Sequence, residues 1–458
     1  MTWPRRIRTS LNASAFIRNT MVMMIGTTAG QAASVALAPI LTRLYTAGEF
    51  GYLSVYTAVL AILGVTAALG FDLAIPLAAS EFELANLVAA GGLAVAVTSS
   101  LTAIAMWLLP ARMLSRIWLA PLDAYRYLLP LGLACLGGYY IMVAAATWAG
   151  RFKDIARTRV TQGIGGPVSQ IALGTAGAGG QGLAIGFVLG QSSGFFLLLS
   201  RLLRDRPGLP RAISWRGIRE VGARYSRFPL LASWTRVVDM AGSGSVLYLL
   251  FSAYYSSEIV GFMFLTERVI GRPLLMISSS LSQVFAGEAG RSARADPAAL
   301  RRRFWQVVPA QLLFALLWIV PVNLVAGWAV PLLFGASWIE AVPYLHALSL
   351  TYLALAVPHP VSSTLQVLNR QSLAAAWQIS RLALLVAAPI VARRFGMSAV
   401  AALWICSVIQ AASSVGLLAT MAIAIDRAVR GAGVAGTAGG SAIRDGNELN
   451  AQANRLPG

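Results

Sequence analysis

Charge is what this chain has least of. Only 12% of its 458 residues are charged, about half the share in a soluble globular protein, so an ordinary soluble domain is excluded. Two histidines, His346 and His359, and two cysteines, Cys135 and Cys406, are all it has of the soft and imidazole ligands. The cysteines lie far apart in apolar stretches without metal-ligand spacing, which argues against a metal centre and against a disulfide scaffold. The histidines read as packing or hydrogen-bonded residues rather than proton carriers. Catalytic constellations are missing too. There is no Gly-rich phosphate loop and no Ser/His/Asp set, and Gly177-Ala-Gly-Gly-Gln-Gly182 reads as a short turn. The expectation is a protein that is not an enzyme and needs no cofactor or metal.

Acids are scarcer than bases, 17 against 36, and lysine occurs once, at Lys153. The net charge of +19 raises the question of nucleic acid. Its placement answers it, because the arginines gather in short stretches between apolar segments, as they do in membrane proteins. No nucleic-acid partner is expected.

What the chain has is hydrophobicity, 57% of residues and a mean hydropathy of +0.69. Apolar runs of about 20 residues recur from end to end, each long enough to cross a bilayer. They are continuous rather than alternating, so helices are favoured over a barrel. The fold class read from this is all-α, a polytopic membrane protein with twelve transmembrane helices. The spans fall near 16–42, 50–71, 84–109, 125–148, 159–177, 182–200, 226–251, 257–283, 304–328, 343–367, 372–392 and 397–425. Pro358 and Pro360 are expected to break the tenth. The first helix, behind Arg5, Arg6 and Arg8, reads as an uncleaved signal-anchor. An even number of spans puts both termini on one side. With that side cytoplasmic, 26 basic residues fall there, six fall opposite and four lie within spans. That bias sets the orientation, with Arg393 and Arg394 as its worst exceptions.

An internal repeat is visible. Tyr45-Thr-Ala-Gly-Glu49-Phe-Gly51-Tyr-Leu parallels Tyr255-Ser-Ser-Glu258-Ile-Val-Gly261-Phe-Met with one residue slipped, about 210 residues on. Six spans separate the copies, so the halves keep one orientation and form two six-helix lobes related by a parallel pseudo-two-fold repeat. The other reading is two ordinary polar turns, each with a helix-capping carboxylate. The implied organisation is a basic cytoplasmic N-terminus (1–15), an N-lobe (16–200), a cytoplasmic linker (201–225), a C-lobe (226–425) and a disordered cytoplasmic tail (426–458). The linker region is rich in arginine. Its stretch 213–224 reads either as a surface helix, with Trp215 and Ile218 apolar and arginines toward anionic headgroups, or as a topology signal only.

Charges inside the spans are the candidates for function, because an ion in hydrocarbon is costly and tends to face a protein-lined cavity. Arg236 and Asp239 sit three apart in span seven, and Glu267, Arg268 and Arg272 lie in span eight. Span eleven holds Trp377, Gln378 and Arg381, span one a polar stripe of Thr27, Gln31 and Ser34, and span five Gln162, Ser169 and Gln170. Two readings stand. Arg236–Asp239 and Glu267–Arg268 can neutralise each other locally, with the polar stripes as interhelical glue. Alternatively the arginines, which outnumber the nearby acids, face an anionic ligand. Guanidinium binds phosphate bidentately, so a phosphorylated substrate suits the second reading. The candidate substrate-binding residues are Arg236, Arg268, Arg272, Arg381, Gln31 and Gln378, and the candidate ion carriers are Asp239 and Glu267. Asp72, at the end of span two, reads as a solvated structural carboxylate.

Several stretches resemble one family. Leu41-Thr-Arg-Leu-Tyr45-Thr-Ala-Gly-Glu49-Phe-Gly51 is similar to the first periplasmic turn of the polysaccharide-transporter branch of the MOP flippase superfamily, which includes the O-antigen (Wzx-type) flippases. Phe71-Asp-Leu-Ala-Ile-Pro76-Leu, followed by Glu81, Glu83 and Ala-Asn-Leu, resembles its end of span two. Arg268-Val-Ile-Gly-Arg-Pro273-Leu and Ser282-Gln-Val-Phe-Ala-Gly-Glu288-Ala resemble its span eight and the loop beyond. Leu333-Phe-Gly335-Ala-Ser-Trp338, with Ala341 and Tyr344, is similar to its loop before span ten. The likeness covers roughly residues 15–425 through the order and spacing of its motifs. It implies two six-helix lobes around a cationic cavity, in a multi-pass protein of the bacterial inner membrane. The implied cargo is undecaprenyl-pyrophosphate-linked oligosaccharide, moved between leaflets by alternating access for O-antigen, capsule or exopolysaccharide synthesis. Membrane lipids, a polysaccharide polymerase and chain-length machinery are the implied partners. Arg268 matches the span-eight motif, whereas Arg272 stands where an apolar residue is expected. Two rivals are weighed. A multidrug or small-molecule exporter of the same superfamily would favour an acidic interior. A polytopic glycan polymerase or ligase would carry a large periplasmic loop, and the longest periplasmic connection here is about 15 residues.

Overall fold

Without water to bond to, a backbone in hydrocarbon must satisfy its own N–H and C=O groups, and every regular element among the described residues is a helix. The structure is a computed structural model that describes residues 5–116, 119–226, 236–237, 240, 244–295, 297–368 and 370–453. The helices used below are α1 (Arg5–Ala36), α2 (Ala38–Leu44), α3 (Ala47–Ala67), α4 (Glu81–Leu108), α5 (Leu128–Trp148), α6 (Phe152–Thr175) and α7 (Gly179–Asp205). They continue with α8 (Trp215–Arg224), α9 (Val246–Tyr254), α10 (Ser257–Thr266), α11 (Arg272–Ala295), α12 (Pro297–Phe334), α13 (Val342–Ala356), α14 (Gln371–Arg394) and α15 (Ala399–Ala453).

Among the described residues, nine helical stretches are long and apolar enough to cross a membrane. They coincide with nine of the twelve expected spans. The remaining three differ for separate reasons. Span five is present as α6, but Thr158, Gln162, Gln170 and its charged first turns lower its hydropathy. Span seven falls mostly outside the described residues. Span eight is interrupted, because a π turn at Glu267–Gly271 separates α10 from α11. The break expected at Pro358 and Pro360 is there, with α13 ending at Ala356 and a 3-10 turn at His359–Val361. The tail corrects an expectation. The last helix runs on to Ala453, through much of the stretch expected to be disordered, and its many alanines have the helix propensity to carry it.

The chain forms two compact units. The first holds Met1–Pro273, Pro321–Ser349 and Leu382–Ser407; the second holds Leu274–Val320, Leu350–Arg381 and Val408–Gly458. This grouping cuts the chain differently from halves at 16–200 and 226–425, because α10 packs tightly on α3 inside the first unit. Thr46 and Ser256, 210 residues apart, are the N-caps of these two helices. One residue on, Ala47 faces Gly261 and Ser257 faces Gly51. A methyl group on Gly51 would collide with the Ser257 carbonyl, and one on Gly261 with the Ala47 carbonyl. The matched positions of the two motifs therefore touch reciprocally, as residues related by a local two-fold axis do. The reading as a polar turn with a capping carboxylate holds for the first copy, where Glu49 closes a capping box with Thr46, and the reciprocal contact is consistent with a repeat. Phe50, Phe262, Trp338 and Tyr344 stack around the crossing at 5.4–5.9 Å, and the Trp338 indole donates to the Thr42 carbonyl at 2.9 Å. His346 is hydrogen-bonded, its Nδ1 lying 2.7 Å from Asn323 Oδ1.

Also in the first unit, α1, α6 and α7 lie close together through glycines. Gly30 and Gly163 let the backbones of α1 and α6 nearly touch, the small-residue packing common within membranes. The linker contains α8, capped by Ser214. Its Gly217 and Val221 are buried, whereas Trp215 is 67% exposed. Asn86 of α4 pins the turn before it, donating to the Ala212 carbonyl at 3.2 Å and accepting from Ser214 N–H at 3.0 Å. Glu83 binds Arg224 and Tyr225. The second unit is built on Phe285, Leu300, Phe304, Val361, Leu365, Met421 and Ile425.

Candidate functional site

Helical spacing brings a polar set together in the first unit. On α1, Thr27, Gln31 and Ser34 share a face because they stand four and three residues apart. Arg159, Gln162 and Gln170 share a face of α6 in the same way, and Phe187 and Gln191 share one of α7. Together with Arg268 and Arg272 they line a cavity of 160 Å³. A second cavity, of 550 Å³, is lined by Gln31, Leu53, Thr57, Leu60, Leu136, Tyr140, Phe187, Gln191, Met240, Phe264, Arg268 and Arg272. Gln31, Phe187, Gln191, Arg268 and Arg272 belong to both walls. The two spaces therefore adjoin across a belt of two amides, one ring and two guanidiniums.

The π turn sets the charge pattern. Its Arg272 N–H bonds the Glu267 carbonyl, five residues back, so side chains five apart stack as side chains four apart do in an α-helix. Glu267 therefore pairs with Arg272, whose Nε donates to it at 3.2 Å, and not with Arg268 beside it in sequence. The local Glu267–Arg268 neutralisation considered from the sequence does not form. Tyr248 also donates its hydroxyl to Glu267.

Arg268 has no such carboxylate among the described residues. It is 6% exposed, its Nη2 reaches Ser34 Oγ at 3.4 Å, and its Nε and Nη1 are covered without a hydrogen-bond partner among the described residues. Both guanidiniums lie against the Phe264 ring, 5.5 and 5.4 Å from its centroid, a contact that holds two like charges close. Arg159 adds a third, 5.5 Å from the Tyr139 ring. Neither cavity wall includes an aspartate or glutamate among the described residues. A buried cation without a partner is expensive, so this arrangement favours an anion with several acceptor oxygens. No group of residues able to hold a metal occurs among the described residues.

The other sequence candidates lie elsewhere. Arg236 is held by Asp72 at 2.8 Å. That pairing also corrects the reading of Asp72 as solvated, since it is buried. Asp239 lies outside the described residues. Arg381 and Gln378 belong to the second unit; Gln378 is exposed, and the neighbouring Trp377 indole donates to the Ser413 carbonyl. Of the six candidate binding residues, Gln31, Arg268 and Arg272 share the cavities. Arg159, Gln191, Tyr140 and Phe187 join them unannounced. Arg159 reads as a loop charge in a topology count, although its spacing to Gln162 was a usable signal.

Helices of membrane-crossing length around a cation-lined interior define a multi-pass membrane protein. Its fold is that of the transporters of the MOP superfamily. An inward-facing multidrug resistance MATE family transporter of that superfamily matches with a TM-score of 0.70 at 14% identity, covering 91% of this chain and 99% of that one. Lipid II flippase MurJ in an inward closed conformation gives 0.69 at 12% identity, covering 90% of each. A MOP superfamily transporter from Pyrococcus furiosus, whose reversed pocket polarity is said to suggest a different function, gives 0.58 at 15%, covering 90% and 96%. No curated protein matches by sequence. Residues 40–343 match the family described as polysaccharide biosynthesis protein, and the chain belongs to that family.

Proposed function

We propose that this protein is a flippase carrying polyprenyl-diphosphate-linked oligosaccharide across the bacterial inner membrane, in the service of O-antigen, capsule or exopolysaccharide synthesis. The observation that carries the reading is Arg268, a buried guanidinium with donors unpaired among the described residues, on a cavity wall whose described residues include no carboxylate. In this reading Arg268, Arg272 and Arg159 receive the diphosphate, the amides receive sugar hydroxyls, and the polyprenyl tail stays in lipid. Two six-helix lobes, 16–200 and 226–425, rock about the cargo, with both termini cytoplasmic. Glu267 or Asp239 carries a coupling proton. A polymerase and chain-length machinery act on the delivered glycan. Arg236 is left to its ion pair with Asp72.

The alternative, a small-molecule exporter of the same fold, suits cationic cargo poorly because three guanidiniums face the smaller cavity. The test is export of glycan from cells expressing Arg268→Ala at normal abundance. Export is expected to stop, with lipid-linked sugar retained on the cytoplasmic leaflet. Normal export would refute the role given to Arg268.

A further inference from the structure

We infer that the 550 Å³ cavity is a seat for the sugar attached to the diphosphate, a neutral pyranose ring held against Tyr140 and Phe187 and hydrogen-bonded by Gln31 and Gln191. This inference rests on the flippase reading and adds to it a subsite with a defined ligand. The cavity has the size of a small-molecule site, within the ~300–1,000 Å³ usual for one. Beside the guanidiniums of Arg268 and Arg272, its wall joins two further chemistries. Leu53, Leu60, Leu136, Tyr140 and Phe187 present apolar and ring surface, while Gln31 and Gln191 present amides.

Neither amide side chain has a hydrogen-bond partner among the described residues; Gln191 is engaged only through its backbone carbonyl, by Gln162. The Tyr140 hydroxyl likewise has none. A hydrocarbon occupant would leave these groups unsatisfied, at a cost of about 1–3 kcal/mol each when buried. A pyranose satisfies them, because its C–H faces suit an aromatic ring and its rim of hydroxyls both donates and accepts. Phe264 is less available for stacking, since both arginines already lie against it. Position completes the case. Gln31 and Gln191 stand on the boundary shared with the arginine-lined cavity, where the first sugar beyond a bound phosphate would lie.

Binding measured on the full-length protein in lipid nanodiscs tests this with three probes of equal charge: farnesyl diphosphate as its methyl ester, farnesyl diphosphate bearing one glucose, and farnesyl diphosphate bearing one cyclohexyl group, an apolar ring in the sugar's place. Wild type should bind the glucose probe about tenfold more tightly than the methyl probe, as two amide hydrogen bonds and a ring contact allow. Tyr140→Leu, at a residue that lines only the larger cavity, should erase that ratio and leave affinity for the methyl probe within about twofold, a readout that general misfolding would not spare. Gln191→Asn tests the amide with little change of packing and should lower the ratio. Equal affinity of wild type for the glucose and methyl probes overturns the sugar seat. So does the cyclohexyl probe binding as tightly as the glucose probe, or Tyr140→Leu weakening the methyl and glucose probes alike. Arg268→Gln separates the two levels: it should weaken all three probes, and unchanged binding would remove the diphosphate reading while leaving the sugar ratio to stand or fall on its own.

Discussion

Adding one methyl group at Gly51 or Gly261 should pry α3 from α10. At each glycine the new carbon overlaps a backbone carbonyl of the other helix, Ser257 in one case and Ala47 in the other. Backbone is the least compliant neighbour available, because no side-chain rotation relieves the clash. Reaching ordinary carbon–oxygen separation requires the helices to part by roughly 1–2 Å. Overpacking of this kind costs about 1–3 kcal/mol, occasionally more. If transport passes through a state in which α3 and α10 separate, that cost falls only on the state in which they touch. The balance between the states then shifts by about 5- to 150-fold.

The assay is labelling of a single reporter cysteine. Cys135 and Cys406 are replaced, and Ser54, fully buried one turn beyond Gly51, becomes the reporter in Ser54→Cys. A membrane-impermeant maleimide added outside cells should react slowly in the parent and at least about fivefold faster in Gly51→Ala and Gly261→Ala. The two variants should resemble each other, because their contacts are reciprocal. Labelling at the parental rate in both, with unchanged thermal stability, would refute the packing argument. A large effect in one and none in the other would refute the symmetry.

Arg268→Met should raise the Tm while abolishing export, because it removes a buried unpaired charge at a gain of about 1–4 kcal/mol; a lower Tm would mean that Arg268 has partners the present geometry does not give it. Arg272→Met should destabilise by about 1–2 kcal/mol by stranding Glu267, and adding Glu267→Gln should restore most of the loss, as a double-mutant cycle of melting temperatures would read. Asn86→Leu should release the linker helix. It deletes side-chain bonds to the Phe82 and Ala212 carbonyls and to the Ser214 N–H, so trypsin should cut at Arg216 and Arg219 faster by about tenfold. An unchanged digestion rate would show that Asn86 does not hold the segment.

Local signals made much of the fold legible. Continuous apolar runs could only be helices in lipid, and the prolines around His359 marked a real break. The paired caps and glycines, 46/256 and 51/261, could be read because they keep a fixed offset. Regular helical spacing put Gln31 on one polar stripe of span one with Thr27 and Ser34. What stayed hidden depended on long-range partners or on irregular backbone. Arg236 reaches Asp72, 164 residues away, where spacing alone suggested Asp239. A π turn re-pairs Glu267 with Arg272, and a turn of that kind has no residue signature. Arg159 was masked by its company, since a guanidinium among Arg151, Lys153 and Arg157 reads as a loop charge until α6 is seen to carry it to the cavity. Tyr140 sits in an apolar run that reads as core, and only the shape of the cavity gives it another role.

The division of labour between the two arginines of the π turn bears on how a carrier lets go. Affinity that is strong enough to load and weak enough to unload is a requirement of any transport path. Arg268 offers donors that nothing in the described protein uses, so a phosphate there would meet a charge already stripped of water. Arg272 is already engaged by Glu267, and a phosphate must compete with that carboxylate for it. On the proposed reading, the second contact therefore contributes a difference between two ion pairs, not the whole of one. In a helix without the π turn, residues 267 and 272 would point about 140° apart, Glu267 could not shadow Arg272, and both guanidiniums would grip the ligand in full. On that reading the irregular turn tempers the affinity, by placing an acid within reach of only one of two cations four residues apart.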